Sequence, residues 1–400
     1  MTSLIEVNNL TKVFGTHPHK ALPLIEQDIS NREIQKRTDQ ITALRNVSFN
    51  VNRGEILVVM GLSGSGKSTL IRCLNRLIKP TAGQILIEGT DIIPMKNSEV
   101  RQLRRDKFGM VFQHFALFPH KTVIENAAFG LEIRGLDAES RKKQALEALE
   151  LVGLSDRENA YPAELSGGMQ QRVGLARALA QDPEILLMDE AFSALDPLNR
   201  REMQDELLSL QKSVHKTIVF ITHDLDEAIT LGDRIVIIEA GKVIQSGVPE
   251  EILTNPSTRY VERFVEHFDV SKVLTAKSAM RRPRAVAYLN QGPRVALRKM
   301  DTADISKIFI LDDSHRLAGF VTAEDAAGAI KKKEVSLSNI VQKTFVAVTE
   351  ETPLQDLIEK SLKSQAAIAV IDEENYLKGM ITKSHLLAAL ANVEEGACQS

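Results

Sequence analysis

The sequence predicts an α/β fold built around a glycine-rich loop, followed by a duplicated α+β module. Three observations carry this. The stretch Gly61-Leu62-Ser63-Gly64-Ser65-Gly66-Lys67-Ser68-Thr69 follows an apolar run, Ile56-Leu57-Val58-Val59-Met60, and precedes Leu70-Ile71-Arg72-Cys73-Leu74, whose apolar positions recur at helical spacing. Strand, glycine-rich loop and helix in that order form the context of a phosphate cradle. Further apolar runs at 108–113, 185–190 and 217–223 end in polar or charged residues, as buried strands do when an α/β sheet places ligand contacts at their carboxyl ends. Finally, Arg316-Leu317-Ala318-Gly319-Phe320-Val321-Thr322 matches Tyr376-Leu377-Lys378-Gly379-Met380-Ile381-Thr382, and Ile308 matches Ile368 at the same offset of 60. A constant offset marks a repeated unit.

Four hundred residues suggest two or three domains, and 43% hydrophobic with 26% charged residues is ordinary for a soluble globular chain. A net charge of −3 gives no argument for nucleic acid, and none is expected as a partner. Cys73 and Cys398 lie far apart without metal-ligand spacing and read as free thiols of a reducing cytosol. The first residues show no secretory pattern, and no apolar run is long enough to cross a bilayer. Any membrane role is therefore expected to come through a partner.

In chain order, residues 4–10 alternate as a strand, and Phe14 beyond them is a flat apolar candidate for stacking on a purine. Residues 17–42 are polar and charged and read as a surface insertion, a solvated loop with a short helix over 28–35. The strand pattern resumes over 43–49, in what reads as one antiparallel region. In the loop, Gly61, Gly64 and Gly66 let the backbone turn and aim its N–H groups inward, with Ser63 and Ser65 between them. Lys67 would reach the β- and γ-phosphates, Ser68 would ligate Mg²⁺, and Thr69 could bond the α-phosphate. A short strand between Gly83 and Gly89 and a charged helix over 98–107 follow, and the next strand ends in Gln113, which could touch Mg²⁺ or an attacking water.

Leu165-Ser166-Gly167-Gly168-Met169 opens a helix, with Ser166 as cap and Gly167 and Gly168 exposing backbone N–H groups. This is a second phosphate-binding surface, one that could serve a neighbouring copy's nucleotide. Asp189 suits Mg²⁺ held through its water shell, whereas Glu190 is expected on the other side of the strand, polarising the attacking water. His223, at the end of another buried strand, is a candidate γ-phosphate sensor.

Taken together, Phe14, 61–69, Gln113, 165–169, Asp189-Glu190 and His223 resemble, in order, the motifs of ATP-binding subunits of ABC transporters. The resemblance implies an α/β P-loop ABC-type nucleotide-binding domain with an antiparallel β subdomain and a helical subdomain, with ATP and Mg²⁺ as cofactors. It also implies a head-to-tail dimer, each ATP lying between the phosphate loop of one copy and Ser166-Gly167-Gly168 of the other. Glu190 would be the catalytic base, His223 the switch and Asp196 a cross-dimer contact. Gln113 and residues 114–125 would meet an integral membrane permease. More closely, the insertion, the segments 111–120 and 188–198 and the duplicated tail resemble the ATPase subunits of glycine betaine/proline betaine importers. That implies import of such osmoprotectants, an external substrate-binding protein reached through the permease, and a peripheral position on the cytoplasmic face of the inner membrane. The alternative is an importer ATPase for another solute such as methionine.

The repeated tail resembles a tandem CBS pair. The expected division is an ATPase domain over 1–265, a linker over 266–280, and CBS-like repeats over 281–335 and 336–400. Gly319, Thr322 and Asp325 follow a pattern that contacts a ribose in many such repeats, whereas the second copy has Gly379, Thr382 and His385. A nucleotide site in the first copy and a pair that only packs both remain open. Residues 281–299 hold Arg281, Arg282, Arg284, Arg294, Arg298 and Lys299 without an acid. They read as a solvated basic face or as a salt-sensitive clamp on an anionic membrane.

Overall fold

The computed structural model describes residues 3–266, 268, 274–364 and 366–396; Cys398 lies outside the described residues. The chain divides into two compact units, the first over residues 1–252 and 256–265, the second over 253–255 and 266–400.

The first unit opens with β1 (Ser3–Phe14), α1 (Leu22–Glu26), α2 (Asn31–Thr38), β2 (Ile41–Asn52), β3 (Ile56–Met60) and α3 (Lys67–Leu74). β4 (Ala82–Ile87), β5 (Thr90–Asp91), α4 (Asn97–Lys107) and β6 (Phe108–Phe112) follow. The helical region comprises α5 (Val123–Ile133), α6 (Ala138–Leu151) and α7 (Gly167–Leu179). Then come β7 (Ile185–Asp189), α8 (Pro197–Val214), β8 (Thr217–Thr222), α9 (Leu225–Leu231), β9 (Arg234–Glu239), β10 (Lys242–Gly247), α10 (Pro249–Thr254), whose last two residues are counted with the second unit, and α11 (Arg259–Val265).

Two sheets organise this unit. One is four-stranded and antiparallel, in the order β2-β1-β4-β5. The other is six-stranded, in the order β10-β9-β3-β8-β7-β6, with every neighbouring pair parallel except β10 with β9. β3 and β8 are buried at every position, because central parallel strands are covered on both faces. Leu57 and Val59 pack with Leu70, Ile71 and Leu74 of α3 and with Leu4, Leu10 and Leu44 of the antiparallel sheet, so one core joins the two sheets. Helix starts follow local chemistry. Thr122 and Glu125 cap α5 reciprocally, Thr122 N donating to Glu125 Oε2 at 2.8 Å, and Asp196 with Pro197 starts α8.

The insertion over 17–42 is folded rather than a solvated loop. Ala21, Ile25 and Ile34 form a small core with Val13. Ser30 caps α2 by accepting from Glu33 N at 3.3 Å, which sets its start at Asn31, three residues beyond the expected Asp28. Arg45, 5% exposed, donates to Asp28 Oδ1 at 3.0 Å and to Asn31 Oδ1 at 3.2 Å, fastening the insertion to β2.

The second unit holds α12 (Ala276–Ala279), β11 (Val286–Tyr288), α13 (Pro293–Ala303), β12 (Lys307–Leu311), β13 (Leu317–Thr322) and α14 (Ala323–Lys331). β14 (Ala347–Val348), α15 (Leu354–Lys363), β15 (Ile368–Ile371), β16 (Leu377–Ile381) and α16 (Lys383–Gly396) repeat the pattern. The registers repeat at the expected offset: Ile308 faces Val321 and Ile310 faces Gly319, as Ile368 faces Ile381 and Val370 faces Gly379. The packed bodies do not follow the repeat boundaries. Leu274, Ala276 and Ala279, inside the stretch read as a linker, lie in the core of the second repeat. Leu337, Ile340 and Val341, beyond the expected 335/336 division, pack in the core of the first. Each repeat thus leaves part of its core to the segment that precedes the other.

Candidate functional site

Four neighbouring strands of the parallel sheet end level with one another. Register pairs Phe112 with Asp189, Asp189 with Ile221, and Met60 with Thr222. The residues that follow these pairs are Gln113, Glu190, His223 and Gly61, so one edge gathers candidates from four separate stretches of sequence.

The candidate phosphate loop, residues 61–69, is shaped by its glycines. Gly61 has φ +154° and a Cβ there would stand 2.2 Å from Ile238 O; at Gly66, φ +109°, it would stand 2.4 Å from Ala43 O. Neither position admits a side chain. Gly64, φ +79°, faces open space. Ser65 Oγ is buried without a hydrogen-bond partner in the protein. Gly66 leads into α3, whose first residue is Lys67. The lysine is 4% exposed, and its Nζ donates to Gly61 O at 2.7 Å and Leu62 O at 3.1 Å. Burial lowers its pKa, against the raising influence of Glu190 and Asp189. A buried ammonium at the start of a helix favours an anion.

Ser68 Oγ donates to Asp189 Oδ1 at 3.2 Å, while burial raises the Asp189 pKa against the lowering bond from Ser68. Thr69 lies on the next position of α3. Glu190 departs from expectation. Strand alternation would carry it across the sheet from Asp189, but its φ is +47°, a left-handed turn just past the end of β7. The carboxylate therefore stands over the loop, Oε1 3.9 Å from Lys67 Nζ and Oε2 3.3 Å from His223 Nδ1. Gln113 is half-buried one residue past the end of β6.

Ser166, Gly167 and Gly168 stand elsewhere on the unit, at the start of α7. Ser166 Oγ accepts from Met169 N at 3.4 Å, and Cβ atoms at the two glycines would meet Leu195 Cδ2 at 3.7 Å and Asn199 Oδ1 at 3.1 Å. Asp196 is the adjacent cap of α8, accepting from Leu198 N at 3.1 Å and Asn199 N at 3.2 Å. The bond from the Asn199 side chain is the largest cause of its lowered pKa. Phe14 is 39% exposed at the end of β1, opposite Ile41, which is 57% exposed, with Lys12 Nζ 4.8 Å from the ring centroid.

One network escaped the sequence reading. Arg200 donates to Leu195 O at 3.3 Å and Asp224 Oδ2 at 3.1 Å, and its Nε lies 3.7 Å from Glu227 Oε1. Glu227 is 2% exposed, accepts from Thr222 Oγ1 and has its pKa raised by burial. It joins the segment before Asp196 to the residues flanking His223. Charged residues at helix starts are ordinary caps, so only the burial of Glu227 singles it out.

In the second unit, the Asp325 carboxylate accepts from Thr322 Oγ1 and Gln342 Nε2, each at 2.7 Å. A Cβ at Gly319, φ +154°, would stand 2.3 Å from Gln342 O. Local packing thus accounts for Gly319 and Asp325. Five of the basic residues at 281–299 are exposed; Lys299 instead donates to Val286 O at 2.8 Å and Gln291 Oε1 at 3.2 Å.

Residues 44–193 match the ABC transporter family, and residues 276–332 and 337–392 match the CBS domain. The chain is 51% identical to the glycine betaine transport ATP-binding protein OpuAA of Bacillus subtilis, over 98% of this chain and 93% of that one. It is 48% identical to the glycine betaine/carnitine transport ATP-binding protein GbuA of Listeria monocytogenes and 47% to the glycine betaine/proline betaine transport system ATP-binding protein ProV of Escherichia coli, over 98% of each chain. A solved dimeric bacterial ABC transporter cassette superposes with TM-score 0.52 at 35% identity, covering 61% of this chain and 98% of that one.

Proposed function

The chain belongs to the ATP-binding subunits of ABC transporters, and from that premise we propose that it hydrolyses ATP to drive import of betaine-type osmoprotectants through a membrane permease. One observation carries the ATPase reading: a buried lysine in a left-handed glycine cradle, 3.9 Å from a carboxylate that also contacts a histidine. The loop suits a triphosphate, since it brings together a helix start, the Lys67 ammonium and a buried Ser65 hydroxyl without a partner in the protein. Ser68 and Asp189 offer a hydroxyl and a carboxylate, the donor set from which Mg²⁺ is held together with water and substrate phosphates. In this reading Glu190 takes the proton of the attacking water, His223 orients Glu190 and senses the γ-phosphate, and Gln113 approaches the metal or the water. Phe14 stacks on the base. Gly61, Ser63, Gly64, Ser65, Gly66 and Thr69 cradle the phosphates.

Ser166, Gly167, Gly168 and Asp196 cluster at the adjacent starts of α7 and α8, one compact capped surface, which supports their use on a second copy's nucleotide in a two-fold dimer. A groove lined by Phe112, Phe118, Phe129 and Ile133 lies beside Gln113; its apolar floor and two exposed rims suit a segment of the permease. Among the described residues no helix is long and apolar enough to cross a membrane. The subunit would therefore sit peripherally, on the cytoplasmic face of the inner membrane, with the substrate-binding protein reached through the permease. The paired repeats, with exposed Arg281, Arg282, Arg284, Arg294 and Arg298, would regulate it by ionic strength.

Glycine betaine is preferred over methionine because relatives named for betaine transport match over nearly the full length, paired repeats included. The test is the ATPase rate of the subunit assembled with its permease and binding protein. Stimulation by glycine betaine but not methionine supports the reading; the reverse overturns the substrate.

A further inference from the structure

Lys67 and Tyr260 hold opposite ends of one peptide group. Lys67 Nζ donates to the carbonyl of Gly61 at 2.7 Å, and the N–H of Leu62, across the same peptide bond, donates to Tyr260 Oη at 3.0 Å. Tyr260 stands on α11, 198 residues from Leu62, and α11 is the last helix before the chain leaves the first unit. Its ring packs edge-on against Phe264 one turn further along, with centroids 5.0 Å apart, so the hydroxyl is aimed from a supported ring. Leu62 itself is 56% exposed, so its side chain is a weak anchor for this end of the loop. At Gly61 the backbone lies close to Ile238 O, where a Cβ would stand 2.2 Å away. Burial raises the Tyr260 pKa, so the phenol stays protonated at neutral pH.

We propose that Tyr260 is a positioning residue of the ATP site: its hydroxyl fixes the Gly61–Leu62 peptide, whose carbonyl in turn fixes the Lys67 ammonium, and so ties the phosphate loop to α11. The proposal rests on the reading of residues 61–69 as the ATP-phosphate loop. Tyr260 touches no reacting atom, so its loss acts on the geometry that receives the nucleotide. One intramolecular hydrogen bond of ordinary net strength corresponds to about a two- to twelve-fold change in an equilibrium constant.

The test uses the full-length chain assembled with its permease, as wild type, Tyr260→Phe and Lys67→Ala. ATPase rates are measured across ATP concentration, together with nucleotide binding and thermal unfolding. Tyr260→Phe is expected to raise KM and the nucleotide Kd by about two- to twelve-fold, with kcat within about two-fold and a melting temperature lowered by at most about 5 °C. A merely structural role would lower the melting temperature and leave KM alone. Unchanged KM in Tyr260→Phe, while Lys67→Ala loses nucleotide binding, overturns the proposal and leaves the loop reading intact. Normal nucleotide binding by Lys67→Ala overturns the loop reading itself. Hydrogen exchange on the wild-type complex is a second readout that needs no variant: the Leu62 amide is expected to be protected, and exchange at the rate of an open loop would contradict the tie.

Discussion

Replacing Glu190 by Gln separates chemistry from binding at this site. The substitution keeps the side chain's length and its capacity to bond His223, and it leaves the left-handed turn at φ +47° in place. It removes the negative charge 3.9 Å from Lys67 Nζ and the base that would take the water's proton. Removing a general base costs about 10²–10⁴-fold in rate, or about 3–5 kcal/mol of barrier at 1.36 kcal/mol per factor of ten. The other consequence runs the opposite way. At an effective dielectric constant of about 20, two charges about 4 Å apart attract by about 4 kcal/mol at most, so losing the carboxylate leaves the ammonium freer to meet phosphate. ATP affinity should hold or rise while turnover collapses, and the closed dimer should accumulate. Phosphate release at saturating ATP measures the first effect, and equilibrium nucleotide binding with light scattering measures the others. Turnover within about three-fold of wild type would refute the assignment of Glu190 as base, since no general base is worth so little.

Other perturbations probe the surrounding structure. Asp189→Asn should reduce Mg²⁺-dependent turnover by about 10–100-fold, as expected for a residue acting through the metal's water shell, and a Mg²⁺ titration checks it. Arg45→Ala removes a buried guanidinium that holds Asp28 and Asn31; it should lower the unfolding free energy by about 1–3 kcal/mol, read by calorimetry. Burial pushes the Cys73 thiol up to about 12, so it is protonated throughout the physiological range. Iodoacetamide should leave the Cys73 peptide unlabelled in the native protein and label it in denaturant.

The candidate site's strand edge was legible because its parts are local. Each of Gln113, Glu190 and His223 stands within two residues of the end of an apolar run, and such runs announce buried strands whatever their order in the sheet. The loop was legible because its glycines answer steric demands that no other residue meets. What escaped notice depends on tertiary contacts. The only apolar residues that the insertion fully buries are Ala21, Ile25 and Ile34, too few and too irregularly spaced to show a period. Alternation misplaced Glu190 because the strand ends at Asp189 and the next φ is left-handed. The 60-residue offset was clear in the sequence, yet Leu274, in the stretch read as a linker, packs in the core of the second repeat and Leu337, assigned to the second, packs in that of the first, which no matching of the two copies reveals. Tyr260 carries no motif, and its bond to Leu62 exists only once distant segments are folded together.

The central claim is that ATP turnover by this chain energises betaine import, and uptake by reconstituted vesicles tests it most directly. Vesicles holding the complete complex, with ATP enclosed on the side of this subunit, are given labelled glycine betaine as internal salt is raised. The account predicts accumulation that requires ATP, is abolished by Glu190→Gln and rises with salt. Glycine betaine accumulation that persists without ATP, or no accumulation while the ATPase turns over, would contradict it.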